Sequence, residues 1–229
     1  MLNFQQNGEK MQKYLKVLKN CSLFSGIESS ELLTLLSCLD TKTAKFDKKY
    51  TILSEGNPAK YICILLSGSA QISRTDYYGF RSILSEIYAG DVFGEAFACA
   101  ELESVPVSVI ANEECEVMLI DRDRIMRTCH KGCGFHSRLI FNLMKDLATK
   151  TLMFHQKIEV TSKRTTREKL MTYLMLQAKK AGSNSFTVPF DRQALADYLE
   201  VDRSGLSAEI SRLRKENIIK SHKNYFEIL

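Results

Sequence analysis

The pattern of apolar and polar positions changes several times along this chain. In residues 9–40, apolar side chains recur at helical spacing, which predicts helices. From 43 to 121, short apolar runs such as 61–66 and 116–120 alternate with glycine-containing turns. Many short strands separated by turns are typical of an antiparallel sandwich or roll. This pattern predicts a β-roll preceded by helices.

A long helix is predicted over residues 136–160. Apolar or small residues there are spaced 4, 3, 4, 3 and 4 residues apart, which forms a heptad seam. The seam consists of Ile140, Met144, Leu147, Thr151, Phe154 and Ile158. A second apolar row, Leu139, Leu143 and Leu152, lies beside it, so one row could pack on the roll and the other on a partner helix. We expect a homodimer, although a single wide face buried within a monomer would give the same pattern.

The segment 192–213 predicts two short helices joined by a tight turn. Asp191 and Asp202 are good N-caps for these helices, because a carboxylate can accept the free N–H groups of a first helical turn. Leu206, Ile210 and Leu213 give the second helix an apolar inner face. This layout is that of a helix-turn-helix, which places its second helix in the DNA major groove. An ordinary helical hairpin is the alternative.

The outer face of the second helix carries hydrogen-bonding groups suited to base edges. The candidates for base reading are Arg203, Ser204 and Ser207. Residues 218–220 and 225–228 are predicted to form the two strands of a wing, with Lys220 and Lys223 at the turn between them. The candidates for phosphate contacts are Arg192, Lys220 and Lys223.

These elements predict an α+β chain with three parts. Residues 1–135 would be an N-terminal double-stranded β-roll of the cupin-like jelly-roll type, with helices before it. Residues 136–160 would be the long dimerisation helix, and residues 161–229 a C-terminal winged helix-turn-helix.

The charge of the chain is concentrated in its C-terminal part. Residues 1–156 contain 18 basic and 18 acidic side chains, whereas residues 157–229 contain 14 basic and 9 acidic ones. The formal net charge of +5 therefore lies entirely in the part that carries the helix-turn-helix. This distribution favours double-stranded DNA as a partner.

Composition also bears on the compartment. No run of 18 apolar residues occurs, and the N-terminus lacks the apolar core of a signal peptide, so we expect a cytoplasmic protein that does not bind membranes. The seven cysteines are irregularly spaced and suggest no disulfide framework. A reducing compartment fits this pattern.

The order of a β-roll, a long heptad helix and a winged helix-turn-helix resembles the Crp–Fnr family of bacterial transcription regulators. The residues that carry the resemblance are Gly56, Gly68, the stretch 90–95 and the segment 192–213. The resemblance implies a dimer that binds double-stranded DNA and is controlled by a cyclic-nucleotide-type sensor domain. RNA polymerase is a further candidate partner, and the small-molecule effector is unknown.

The sensor departs from the family members that bind cyclic AMP. Those members carry an Arg-Ser pair about ten residues after the Gly-Glu that corresponds to Gly94 and Glu95, and the arginine neutralises the cyclic phosphate. The corresponding residues here are Val105 and Pro106. A buried phosphate needs a positive partner, so cyclic AMP is not expected as the effector. The candidate effector pocket comprises Gly94, Glu95, Val105, Pro106 and Thr151.

The predicted DNA-reading face departs from the family as well. Family members commonly have an arginine where this chain has Ala208, and a glycine in the turn where it has Glu200. Arg203 is therefore the best candidate for a base contact, and the target site is expected to differ from those of better-known members.

A local cluster of Cys129, His130, Cys133 and His136 precedes the long helix. It could bind a soft metal or form a redox pair, which would make the protein a thiol- or metal-dependent regulator. A packed cysteine and a glycine turn with solvated histidines explain the same residues. The cysteine and histidine patterns of iron–sulfur and haem family members do not transfer, and no cofactor is assigned.

Two other classes of function are alternatives to a DNA-binding regulator. A nucleotide-binding regulatory subunit could act through protein contacts, but the charge asymmetry and the capped helix with Arg203 argue against it. No hydrolase, P-loop or metalloprotease motif occurs, so an enzyme is not expected.

Overall fold

Two compact units make up the chain, which divides between Thr149 and Lys150. The computed structural model describes residues 12–75, 77–78, 81–126 and 134–229. No helix in this described part is both long enough and apolar enough to cross a membrane. The three-part division at residues 135 and 160 stays a prediction.

The described part of the first unit contains eight strands, which are β1 (Lys42–Phe46), β2 (Thr51–Leu53), β3 (Tyr61–Ser67), β4 (Ser69–Thr75), β5 (Arg81–Tyr88), β6 (Val92–Phe93), β7 (Ser108–Ala111) and β8 (Cys115–Asp121). They form two four-stranded antiparallel sheets, in the orders β1-β8-β3-β6 and β2-β7-β4-β5. The predicted β-roll is confirmed.

Strand β3 is buried on both of its faces. Side chains alternate between the two faces of a strand. Cys63 and Leu65 pack in a core with residues of both sheets, whereas Ile62, Ile64 and Leu66 pack in a second core with the helices. This double burial explains why 61–66 is a continuous apolar run rather than an alternating one.

The turn between β3 and β4 depends on Gly68. This residue has φ +81°, and a Cβ atom there would lie 2.4 Å from the carbonyl oxygen of Glu114. Any larger residue would therefore clash with backbone as well as adopt a left-handed conformation.

The helices of the first unit pack on the sheet that contains β3. They are α1 (Leu15–Asn20), α2 (Ser29–Cys38), α3 (Glu95–Cys99), α4 (Arg122–Met126) and the first part of α5 (Gly134–Thr161), with 3₁₀ turns at Gln12–Tyr14 and Ser22–Phe24. Asn142 of α5 donates to the carbonyl oxygens of Leu23 and Ser25, both at 2.9 Å.

Helix α5 confirms the predicted long helix, with slightly wider bounds. Leu139 and Leu143 are fully buried in the first unit, as expected for a row that packs on the roll. Leu152, which was assigned to the same row, is 62% exposed, so that assignment was wrong. At 3.6 residues per turn, the nine residues from Leu143 to Leu152 amount to about two and a half turns, so Leu152 lies on the opposite side of the helix from Leu143.

The second unit is a winged helix-turn-helix with its own core. It contains the end of α5, then α6 (Thr166–Ala181), β9 (Ser185–Thr187), α7 (Arg192–Leu199), α8 (Arg203–Lys215), β10 (Ile219–His222) and β11 (Tyr225–Ile228). The three strands form an antiparallel sheet in the order β10-β11-β9. Its core includes Tyr173 of α6, Leu195 of α7, Leu206 of α8 and Phe226 of β11.

Candidate nucleic-acid interface

Both predicted N-caps of the helix pair are present. The Asp191 carboxylate accepts the N–H of Ala194 at 2.8 Å, and that of Asp202 accepts the N–H of Gly205 at 2.9 Å. Each cap satisfies a backbone donor that the first turn of a helix leaves free. The starts of α7 and α8 are therefore set by local sequence.

The turn between the two helices bends at Glu200. This residue has φ 54°, in the left-handed region where the family's usual glycine would be unstrained. The N–H of Val201 donates to the carbonyl oxygen of Ala196 at 3.1 Å, which closes the turn. Val201 itself is half-buried and packs against the core of the second unit.

Helix α8 presents the face that the sequence predicts for base reading. Arg203, Ser204 and Ser207 are exposed, whereas Leu206 and Leu213 are fully buried. The amphipathic pattern of α8 thus leaves three hydrogen-bonding side chains available to a partner on the outer face.

Ser204 is partly committed to the helix itself. Its hydroxyl donates to the Asp202 carboxylate, and this bond, with the backbone N–H groups nearby, lowers the pKa of Asp202. A hydroxyl has one proton to donate. In this arrangement Ser204 can therefore accept a hydrogen bond from a base, while Arg203 remains the strong donor.

A groove with a volume of about 310 Å³ lies between α8 and the β10–β11 hairpin. It is lined by Arg192, Ser207, Ile210, Ser211, Arg214, Ser221, His222 and Lys223. Three of these side chains are permanently cationic and none is anionic, so the groove suits an anion such as a backbone phosphate.

Arg192 forms part of the groove wall. Its Nη2 donates to the carbonyl oxygen of Lys223 at 3.2 Å, and its guanidinium carbon lies 5.7 Å from the centre of the Phe226 ring. Nη1 is buried and has no hydrogen-bond partner among the described residues, and burial lowers the pKa of Arg192. Arg192 therefore tethers the wing as well as facing the groove.

Arg214 is a groove residue that the sequence analysis missed. Ser207, Ser211 and Arg214 follow one another at i, i+4 and i+7, which places them on one side of α8. That spacing was visible in the sequence. What the sequence did not show is that the hairpin lies beside this side of the helix.

The two wing lysines differ in their surroundings. Lys220 lies in strand β10 rather than in the predicted turn, and its Nζ pairs with the Glu227 carboxylate across the hairpin at 3.2 Å. Lys223 lies at the exposed turn between β10 and β11, with φ 53°. Of the two, Lys223 is the better placed to meet a phosphate.

Ion pairs with α6 anchor helix α8. Arg167 of α6 reaches the Glu216 carboxylate at 2.6 Å and 3.1 Å, and this pairing lowers the pKa of Glu216. Arg167 Nη1 also lies 3.7 Å from the carboxylate of Glu209, which is only 7% exposed and accepts a hydrogen bond from Arg212 within α8 at 2.8 Å. These contacts hold the predicted recognition helix against α6, and sequence reasoning did not identify them.

The candidate effector residues of the first unit are only partly accessible. Gly94 has φ +76° before α3, and a Cβ there would lie 3.3 Å from the carbonyl oxygen of Tyr61. Glu95 and Val105 are buried, with 5% and 0% of their surface exposed, whereas Pro106 is exposed. The remaining candidate, Thr151, is exposed and belongs to the second unit.

Val105 is held by its backbone. Its N–H donates to the carbonyl oxygen of Asn57 at 2.9 Å, and its own carbonyl oxygen accepts the N–H of Gly56 at the same distance. Val105 is thus a core residue whose backbone closes the turn at Gly56. Its apolar side chain offers no charge to a phosphate.

The predicted thiol and imidazole cluster lies mostly outside the described residues. Cys129, His130 and Cys133 fall in the gap at 127–133, so the metal or redox hypothesis stays a prediction. His136 is described and is 5% exposed at the start of α5.

Two protein-family models match the chain in the order of its units. Residues 43–131 match the cyclic nucleotide-binding domain, and residues 168–229 match the Crp-like helix-turn-helix domain. The chain belongs to the Crp–Fnr family.

Among the relatives of this Crp–Fnr family member is the CRP-like cAMP-activated global transcriptional regulator of Mycobacterium tuberculosis. The two sequences are 27% identical over 109 residues, which is 48% of this chain and 46% of that protein. The chain thus spans about half the length of the curated relative that it matches.

Solved structures share the fold of this Crp–Fnr family member. The catabolite activator protein of Thermus thermophilus has a TM-score of 0.55 and 20% identity, with 91% of this chain and 93% of that chain covered. A cyclic nucleotide-binding domain from Methylobacillus flagellatus has a TM-score of 0.56 and 16% identity, with 66% and 84% covered. At such identities the likeness concerns the fold alone.

Proposed function

We propose that this protein is a transcription regulator that binds double-stranded DNA in a sequence-specific manner. The observation that carries the proposal is the exposed face of α8, with Arg203, Ser204 and Ser207, beside the cationic groove of the wing. Arg203 would donate to a base edge, and the groove would hold the phosphate backbone. The match to the Crp-like helix-turn-helix domain supports this function over that of an enzyme.

The protein would bind DNA as a homodimer through α5. Three of its heptad positions, Met144, Phe154 and Ile158, are 57%, 68% and 61% exposed. A helix face with several exposed large apolar side chains is typical of an interface. Two parallel copies would present two recognition helices to half-sites that lie about one turn of DNA apart.

The first unit would be the sensor, with an effector other than cyclic AMP. The M. tuberculosis relative is named as cAMP-activated, but Val105 and Pro106 stand here where cyclic-AMP-binding members of the family carry Arg-Ser. A cyclic phosphate in that position would lose water without gaining a cation, which is costly. An effector that is uncharged at this position, or that brings its own counter-charge, would avoid that cost.

The proposal is tested by selection from random DNA. The full chain is incubated with random duplexes of about 30 base pairs, which hold two half-sites one turn apart, and bound duplexes are amplified and sequenced. We expect a two-fold symmetric site, with binding by fluorescence anisotropy about 10³-fold or more tighter than to random duplex.

The proposal would be contradicted if no sequence were enriched, either by the protein alone or with metabolite extract added as a source of effector. It would favour instead a regulatory subunit that acts through protein contacts.

A further inference from the structure

Lys157, near the end of α5, contacts the C-terminal end of α7. Its Nζ donates to the carbonyl oxygen of Tyr198 at 2.6 Å and lies 3.7 Å from the Glu200 carboxylate. The same ammonium lies 4.5 Å from the centre of the Tyr198 ring. All three contacts lie within the second unit, and the Lys157 side chain is about two-thirds buried, at 32% exposed.

The end of α7 is a favourable place for a cation. The last carbonyl groups of a helix have no partner within it and carry a partial negative charge. The face of an aromatic ring attracts a cation too. Lys157 thus satisfies a free carbonyl group, the helix dipole, a carboxylate and a ring at once.

The ring that Lys157 contacts is itself firmly held. Tyr198 packs against Phe190 and Tyr173, with ring centres 5.1 Å and 5.2 Å apart. Tyr173 is almost fully buried in the core of the second unit. Lys157 therefore contacts a rigid part of the helix-turn-helix.

The same stretch of α5 carries a residue that packs in the second core and residues of the proposed dimer interface. Val160 is fully buried in the core of the second unit, whereas Phe154 and Ile158 of the heptad seam are exposed. Lys157 lies between Phe154 and Ile158 in sequence. A contact here joins the proposed dimer helix to the proposed DNA reader.

We propose that Lys157 is a positioning residue that holds the α7–α8 pair at one angle to α5 and so sets the half-site spacing that the dimer accepts. This inference rests on the proposed function. Moving one half-site by a base pair displaces it by about 3.4 Å and rotates it by about 35° around the DNA axis. A rigid joint cannot follow such a change, whereas a loosened joint can.

The test uses the site selected by the wild-type protein, with its spacer unchanged, lengthened or shortened by one base pair. The main variant is Lys157→Met, which keeps the aliphatic stem and removes the charge and the donor. Lys157→Arg is the conservative variant.

Lys169→Met is the matched control. Lys169 lies in α6, and its Nζ donates to the carbonyl oxygen of Glu200 at 3.2 Å. It supports the same turn from inside the DNA-binding module, so its loss does not loosen the joint to α5.

We expect the wild-type preference for the correct spacer to fall roughly tenfold in Lys157→Met, the size of effect that loss of one charge-assisted hydrogen bond produces. Base preferences within each half-site should not change, because α8 is intact. Lys157→Arg should retain most of the spacer preference, and Lys169→Met should retain all of it. Circular dichroism and thermal unfolding establish that each variant is folded.

If Lys157→Met does not fold, Glu200→Gln replaces it, because it removes only the ion pair with Lys157. We then expect a smaller loss of spacer preference in the same direction. A wild-type protein that tolerates all spacers equally, or a Lys157 or Glu200 variant that keeps the wild-type preference, overturns the inference. Failure of the wild-type protein to select any DNA overturns the proposed function instead.

Discussion

Contacts within the chain determine which side chains of the candidate interface are available to contact DNA. The Ser204 hydroxyl donates a hydrogen bond to Asp202, one guanidinium nitrogen of Arg192 donates to the wing, and Lys220 is paired with Glu227. Arg203 and Lys223 are exposed donors on the helix and at the wing turn. The six DNA-contact candidates are therefore not equally available to DNA. Arg203 and Lys223 can be tested for different roles, one at a base and one at a phosphate.

At Arg203, substitution by alanine is expected to remove discrimination at one base-pair position. The loss should be roughly 1–3 kcal/mol at that position, because a bidentate contact to a base edge is lost. Binding is measured by anisotropy on the selected site and on sites with each half-site base pair replaced in turn. Lys215→Ala, which removes an exposed cation from the last turn of α8, is the control. An equal loss on selected and random duplexes would show that Arg203 does not read a base.

At the wing, Lys223→Ala is expected to weaken binding to all duplexes alike. The slope of log K against log salt should fall by about one unit, because one phosphate contact and its released counterion are lost. Lys220→Ala should change the slope by less than half as much, since Glu227 already neutralises that ammonium. The measurement is a salt titration of both variants on random duplex, and equal slopes for the two would contradict the assignment.

At the scale of elements, α5 contributes side chains to the core of each unit and also carries exposed apolar residues. Leu139 and Leu143 are buried, and Ile140 and Leu147 are half-buried against the same core. Further along, the seam residues Phe154 and Ile158 are exposed, whereas Val160 is buried in the core of the second unit. The heptad seam is thus shared between the core of one unit and a surface that a second copy would cover.

Phe154→Glu is expected to shift the proposed dimer toward monomer. A carboxylate placed at an apolar seam loses its hydration without a partner, so dimer dissociation should become roughly 100-fold easier or more. Sedimentation equilibrium of the full chain measures this. Gln156→Glu adds the same charge on the same helix away from the seam and should leave the dimer intact. A wild-type protein that is monomeric at every concentration would refute the dimer.

Much of the fold and part of the site could be predicted from the sequence. Caps such as Asp191 and Asp202 act over three residues, and the strand and helix patterns repeat along the chain, so both are visible locally. Arg214 was missed because its importance depends on the hairpin beside α8. Leu152 was misassigned because its spacing of nine residues from Leu143 places it on the opposite side of the helix.

At the scale of the whole molecule, the two units suit different tasks. The first holds a double sheet and the buried, apolar Val105 where cyclic-AMP-binding members of the family carry an arginine, and the second holds the helix pair and the net positive charge. A ligand that binds only the native first unit must raise its stability. The identity of the effector can therefore be approached without DNA.

Cyclic AMP is expected to leave the melting temperature of the full chain unchanged. A ligand present at 100 times its Kd stabilises the native state by about 2.7 kcal/mol, which would raise the Tm of a protein of this size by roughly 5–10 °C. Differential scanning fluorimetry with millimolar cyclic AMP measures the shift, with 5′-AMP as the control for general nucleotide effects. A rise of this size with cyclic AMP alone would contradict the effector proposal.

The sequence by itself determined the order of elements, the caps of the helix pair, the exposed face of α8 and the presence of Val105 where the resemblance to the family would place the phosphate arginine. These features depend on neighbours within a few residues or on residue identity alone. Only the tertiary structure decided that Lys220 is paired, that Arg192 tethers the wing and that Lys157 joins α5 to the end of α7. The physical reason is distance along the chain: Lys157 and Tyr198 are 41 residues apart, and only the packing of α5 against the second core brings them together.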